Sequence, residues 1–171
     1  MDDATSAQLR VINKLAAALD GAGVAWWLFG GWAMDFHAGD VTRPHDDIEV
    51  FVQAGDAERA RAAVVERGYA VPAVMHPEEG QTFLKDGVEV GAWYLERDTS
   101  GAAHVPGRWA SWRWPAAWFE APRRRIGDVE APVLALDGLL EMKQRFAEQP
   151  HGAPLREKDI DDIERLRRMM G

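Results

Sequence analysis

Residues 27–50 read WLFGGWAMDFHAGDVTRPHDDIEV, and they constrain the fold more than any other part of the chain. The apolar run Val24 to Phe29 is short and stops at Gly30 and Gly31, which reads as a buried strand closed by a turn. Trp32 to Ala38 fits two turns of helix, ended near Gly39. From Asp47 to Val52 acid and apolar residues alternate, the period of a strand with one apolar face. Asp47 and Glu49 therefore point one way while Ile48 and Val50 point into the core. Two carboxylates side by side repel, and each raises the other's pKa unless a cation lies between them.

The rest of the chain supplies a sheet and helices around this unit. Thr5 and Gln8 have the form of a capping box, followed by Leu9, Ile12 and Leu19 at helical spacing. Asp56 is placed to cap a helix running to about Arg67, and Tyr69 to Met75 reads as a strand. Gln81–Lys85 and Val88–Leu95 flank Asp86-Gly87, a strong hairpin signal. Asp98 to Pro122 is rich in Pro, Gly and Trp without a period, so it is expected to be irregular. Arg124 to Leu134 forms a second small β unit turning at Gly127 and Asp128. Asp137 is expected to cap a helix to about Glu148, and Leu155 to Met169 forms a last helix, charged on most faces. This order predicts an α/β (α+β) protein with a mixed β-sheet flanked by helices and a short helical C-terminal tail.

Composition removes several function classes. The 171 residues carry a net charge of -8, which argues against a nucleic-acid partner because phosphate binding needs clustered Lys and Arg. The absence of cysteine excludes disulfides, thiolate catalysis and Cys-ligated zinc. The longest uncharged stretch, Gly21 to Met34, is shorter than the roughly 18 apolar residues that a membrane span needs. The start, MDDATSAQLR, has acids where a signal peptide needs a basic segment. A soluble, cytoplasmic protein, monomeric or homodimeric, is expected.

The diglycine ends a strand and opens a helix, so unobstructed backbone amides converge at a helix N-terminus and attract phosphate. Mg2+ takes oxygen ligands, often one or two carboxylates together with substrate phosphates. Gly30 and Gly31 as a phosphate cradle, beside Asp47 and Glu49 as metal-holding acids, together describe a nucleotide–metal site.

FGGWAMD followed by TRPHDDIEV resembles the nucleotidyltransferase fold of the DNA polymerase β superfamily, and is most similar to the small nucleotidyltransferases acting on aminoglycosides and lincosamides. Gly30, Gly31, Trp32, Asp35, Gly39, Thr42, Arg43, His45, Asp47 and Ile48 stand at the matching places. Glu49 replaces the usual Asp. LREKDIDDIERL near the end is similar to the Lys-Asp helix of that superfamily. The resemblance implies a core over residues 1–135 with C-terminal helices, 136–171, packed on it. It implies transfer of a nucleoside monophosphate, AMP from ATP in the first instance, to a hydroxyl of a small antibiotic, with pyrophosphate released. Two Mg2+ ions on Asp47 and Glu49 would align that reaction. A protein-modifying nucleotidyltransferase of a toxin–antitoxin type and a non-catalytic nucleotide-binding protein are the alternatives.

Enzymes of this kind carry a third acid on a neighbouring strand as general base. Counted back from RDTSG it falls on Gly91; Glu89 lies one pleat away on the same face. The base is either Glu89 or missing. Arg43 and His45 precede the metal strand and are candidates for phosphate contact, as is Lys143, preferred over Lys158 because its helix is more amphipathic. Trp93, on the face of Glu89, is the candidate acceptor contact. Asp35 is read as structural and Asp46 as a strand-end cap. His37, His76, His104 and His151 show no metal-ligand spacing and are read as surface residues. The late tryptophans are read as aromatic core or a dimer seam, and Arg123–Arg125 as a salt-bridged strand edge.

Overall fold

The computed structural model describes residues 2–73 and 76–171. Helix α1 (Asp3–Gly21) buries Val11, Ile12, Leu15 and Leu19 along one stripe. Its cap is not the expected box. Asp2 is the N-cap, and the Thr5 N–H donates to its Oδ1 at 2.7 Å. Gln8 is buried instead, accepting from the Trp32 indole and donating to the His45 carbonyl.

Strand β1 (Trp26–Phe29) leads directly into α2 (Gly30–Ala38), and β2 (Ile48–Gln53) returns antiparallel to β1. Helix α3 (Ala57–Glu66) then carries the chain across to the hairpin of β3 (Gly80–Lys85) and β4 (Val88–Arg97). Asp86 and Gly87 turn that hairpin with positive φ angles of 52° and 76°, the backbone that Asp-Gly favours. Because α3 and β3 intervene, β4 lies parallel to β2, and the sheet order is β1-β2-β4-β3. The register sets Ile48 beside Val90 and Glu49 beside Gly91. β5 (Ala103–His104) pairs with the end of β4.

After the hairpin of β6 (Arg124–Ile126) and β7 (Val129–Ala131), the chain closes the outer edge of β1. The Leu28 N–H donates to Pro132 O at 2.8 Å, and the Leu134 N–H donates to Leu28 O at 2.9 Å. At Leu28 the edge of β1 is thus paired instead of open to another strand. Ile48, Val50 and Val52 are fully buried, as their alternation predicts. On the other face Phe51 meets Phe29, Trp114 and Phe119. Two of the late tryptophans, Trp114 and Trp118, are thus core.

Several local expectations fail for tertiary reasons. Only Ala70 of the expected strand Tyr69 to Met75 pairs, with Leu84, and Val74 and Met75 lie outside the described residues. Asp56 does not cap α3 through its side chain; it accepts the Ala25 N–H and pairs with Arg59. Asp137 sits in the first turn of α4 (Leu136–Arg145), whose N-cap is Ala135. His37 and His104 are not surface residues. The first donates to the Leu134 carbonyl at 2.8 Å, and the second is buried. Arg123 pairs with Asp20 and Glu130, and Arg125 with Glu130, which is the salt-bridged edge expected of this run. The last helix, α5 (Glu157–Met170), packs on α4 and α2. Among the described residues no helix is long and apolar enough to cross a membrane.

Candidate active site

Gly30 has a φ of +66°, and a Cβ there would lie 2.8 Å from Glu49 Oε2. The backbone conformation favours glycine there, and the Glu49 carboxylate rests on it. A Cβ on Gly31 would run into the imidazole of His45 and lie 2.9 Å from Arg43 Nη2. The paired glycines and the acidic strand are therefore on the same side of the sheet and in contact. The N-cap of α2, Phe29, makes no side-chain hydrogen bond, and Gly30, Gly31 and Trp32 of the first turn line an open pocket.

That pocket is small and lined by Gly30, Gly31, Asp47 and Glu49 together with the cations Arg43, Lys143, Arg156 and Lys158. A second, larger cleft of about 730 Å³ lies across the sheet edge and includes Glu89, Gly91, Trp93, Glu79 and Arg108. Asp47 and Glu49 line both. Burial and the neighbouring Asp47 push the Glu49 carboxyl up to about 7, against a smaller downward pull from Lys143, Arg156 and Lys158. Neither Asp47 nor Glu49 forms a salt bridge among the described residues. An oxygen-donor pair in this state, open to two pockets, suits a hard dication.

Behind the first pocket lies a buried network that the sequence only partly announced. Asp35 is fully buried, accepts from the Thr42 hydroxyl and backbone N–H, and meets His45 Nε2 at 2.6 Å. Arg43 Nη1 lies 3.0 Å from His45 Nδ1. A guanidinium only donates, so Nδ1 accepts and the ring proton sits on Nε2, donated to Asp35. Both ring nitrogens of His45 are thereby occupied. Arg43 spends its Nε and Nη2 on Asp162, at 3.2 and 2.7 Å, and its Nη1 also on Pro44 O. Asp162 is buried as well and takes Lys143 at 2.9 Å. Burial works to raise the Asp162 carboxyl, but Arg43 and Lys143 outweigh it and hold it low. Asp159, bonded by Arg156 and Lys143, is likewise held low against its burial.

Of the residues singled out from sequence, Gly30, Gly31, Asp47 and Glu49 are in one place, with Arg43, His45 and Lys143 around them. Asp46 pairs with Lys158 at 2.5 Å, tying the head of β2 to α5. Glu89 and Trp93 share the second cleft with the two acids. The register sets Ile48 beside Val90, and Asp47 and Glu89 are the residues just before that first pair. Arg156, Asp162 and the Glu79–Arg108 pair were not singled out. Asp159 and Asp162 lie three residues apart on one helix face, which was the available signal for two of the buried partners. His76, Glu78 and Glu79 cluster closely enough to suggest a metal, contrary to expectation for His76. Both Glu79 oxygens, however, are taken by Arg108 at 2.9 and 2.8 Å.

The sequence profile of the aminoglycoside-2''-adenylyltransferase family matches residues 11–166. The chain belongs to this family. A 2''-aminoglycoside nucleotidyltransferase of Escherichia coli is 46% identical over 43 residues, 25% of this chain and 24% of that protein. One from Klebsiella pneumoniae matches equally. The match thus spans about a quarter of the length of these curated relatives. The solution structure of the antibiotic-resistance factor ANT(2'')-Ia superposes with a TM-score of 0.76 at 20% identity, covering 97% of this chain and 85% of that one. The lincomycin-bound lincosamide adenylyltransferase LnuA gives 0.66 at 19% identity, covering 88% and 90%. These likenesses establish the nucleotidyltransferase fold for the family member described here.

Proposed function

We propose that this protein is an enzyme that transfers AMP from ATP to a hydroxyl of a small antibiotic, an aminoglycoside or a lincosamide, and releases pyrophosphate. The observation that carries the reading is the shared wall: Asp47 and Glu49 separate a cation-rimmed pocket at the diglycine from an acid-lined cleft holding Trp93. The triphosphate fits the first pocket, against the amides of Gly30 and Gly31 and the charges of Lys143, Arg156 and Lys158. Arg43 and His45 support that pocket from behind, because their hydrogen bonds go to Asp162 and Asp35. The acceptor fits the second, where an acidic lining suits a cationic sugar.

Asp47 and Glu49 would hold two Mg2+ ions, which when bound offset the charge of the triphosphate and of the attacking oxygen. The acceptor oxygen forms a bond to the α-phosphorus as the bond to pyrophosphate breaks. Its proton passes to a carboxylate, for which Glu89 in the second cleft is the candidate. A second reading, nucleotide binding without transfer, draws support from Gly91, which leaves the position beside Glu49 without an acid.

Incubation with Mg-ATP and either tobramycin or lincomycin, read by mass, separates the two. Transfer gives a drug heavier by one AMP unit, whereas binding alone gives a nucleotide-dependent thermal shift with no product. Glu89→Gln is expected to lower turnover by about 100-fold, the scale of a positioned general base. Unchanged turnover removes Glu89 from the reaction.

A further inference from the structure

The second cleft contains an arrangement that the transfer reaction does not by itself require. Gly91 sits directly beside Glu49 in the β2–β4 register. A Cβ built on it would find only Trp93 Nε1, at 3.6 Å, and the Ile48 carbonyl oxygen, at 4.0 Å. Residues 91 and 93 share a face of β4, so the indole leans back along its strand into the space a side chain at 91 would claim. Its N–H is brought to Gly91, the strand neighbour of Glu49, in the cleft that Trp93 and Glu49 both line. Half-buried and packed against the core by its ring, Trp93 makes no hydrogen bond through Nε1 among the described residues. Trp26, Trp27 and Trp32 find acceptors, at Asp20, the Phe119 carbonyl and Gln8, while Trp109 and Trp114 leave their buried N–H groups unpaired among the described residues; Trp93 differs from both groups in lining the second cleft. A Trp N–H in a cleft of polar ligands is an oriented donor on a stiff platform.

We propose that Gly91 and Trp93 act as one specificity element. The missing side chain at 91 admits the indole beside Glu49, and the indole N–H donates to an oxygen of the bound acceptor next to the hydroxyl that reacts. This inference rests on the transfer reaction proposed above. Trp93 touches acceptor only, so it sets the hold on the drug and leaves the nucleotide pocket unaffected. Gly91 acts through Trp93 as a positioning residue. Alanine at 91 is admitted at ordinary van der Waals distance, while a leucine must displace the indole.

The test measures KM for tobramycin or lincomycin and, separately, for Mg-ATP in wild type, Trp93→Phe, Gly91→Ala, Gly91→Leu and the Gly91→Leu/Trp93→Phe double variant. Phenylalanine keeps the ring and removes the donor. The expected result is an acceptor KM raised about fivefold to tenfold, the scale of one hydrogen bond, with the Mg-ATP KM unchanged. Gly91→Leu should behave as Trp93→Phe, and Gly91→Ala should raise the acceptor KM by less than Gly91→Leu does. The double variant should be no worse than the poorer single one, because both act on the same contact. An unchanged acceptor KM in Trp93→Phe, or equal changes in both KM values, overturns the assignment while the transfer reaction stands. A wild type that adds no AMP to either drug overturns the reaction and this inference together.

Discussion

Two pairs of acids lie close together in this molecule and meet opposite fates. Asp35 and Asp162 have side chains 0% and 1% exposed, yet each is surrounded by donors from its own chain. Arg43, Lys143 and Arg165 reach Asp162, and His45, Thr42 and Arg165 reach Asp35. Asp47, just before β2, and Glu49, within it, receive no such partner among the described residues. The first pair is an interior problem solved internally. The second is left for something from outside. A buried carboxylate costs several kcal/mol unless it is paired and hydrogen-bonded, so the half-buried Glu49, unpaired beside the exposed Asp47 between two pockets, marks where a cation belongs.

The largest expected effect tests that contrast from the open side. Asp47→Asn removes one anionic ligand and should lower AMP transfer by about 1,000-fold or more, since a bound metal supplies several kcal/mol of charge stabilisation. The fold should survive, because no internal bond of Asp47 is lost. Pyrophosphate release and thermal unfolding, measured side by side, check both halves. A variant that unfolds and loses activity together would make Asp47 a structural acid like Asp35.

Asp162→Asn probes the closed side and should act in the reverse sense. Arg43 and Lys143 would lose their shared anion in a buried place, at a cost of about 3–5 kcal/mol by the scale for broken buried pairs. Urea unfolding should show a large fall in the midpoint with an unchanged slope. Nucleotide binding should weaken as well, because Arg43 would no longer be held against Gly31 and His45.

This contrast also explains what could be read from the residues alone. The open pair was legible because its signals are local: a diglycine, a period-two strand and an acid doublet fall within one short segment. The partners of the closed pair were not. Arg43 finds Asp162 119 residues away, and on α5 that aspartate sits among charges that look like a solvated face. The same holds for Thr5 and Gln8, whose spacing matched a capping box. Burial turned them inward, and Asp2, one turn earlier, took the cap. Glu79 and Arg108 offered no pattern at all, since they meet only when the turn before β3 packs on the loop at Gly107. Local periodicity carried the strands and the metal-facing acids. Long-range charge pairing carried the support behind them, and only tertiary structure exposes it.

The smallest effect is the most diagnostic, because Asp162 and Glu49 respond to pH with opposite signs. Asp162 is held below the ordinary carboxylate range by its cations, so its stabilisation is present above the unfolded value and fades as pH falls through the folded one. Glu49 is pushed up to about 7 from 4.5 by burial and Asp47. The folded protein then binds the proton more tightly than the unfolded chain does, and stability is lost as pH rises from about 4.5 through 7. In metal-free protein Glu49→Gln should remove that decline, leaving a variant more stable than wild type at pH 8 by about 1–2 kcal/mol after allowance for partial exposure. Added Mg2+ should narrow the difference by stabilising only the wild type. Urea midpoints at pH 5 and 8, with and without Mg2+, read this directly. If wild type and variant follow the same pH profile, the carboxylate of Glu49 is already satisfied within the chain, and the distinction between the two pairs of acids collapses.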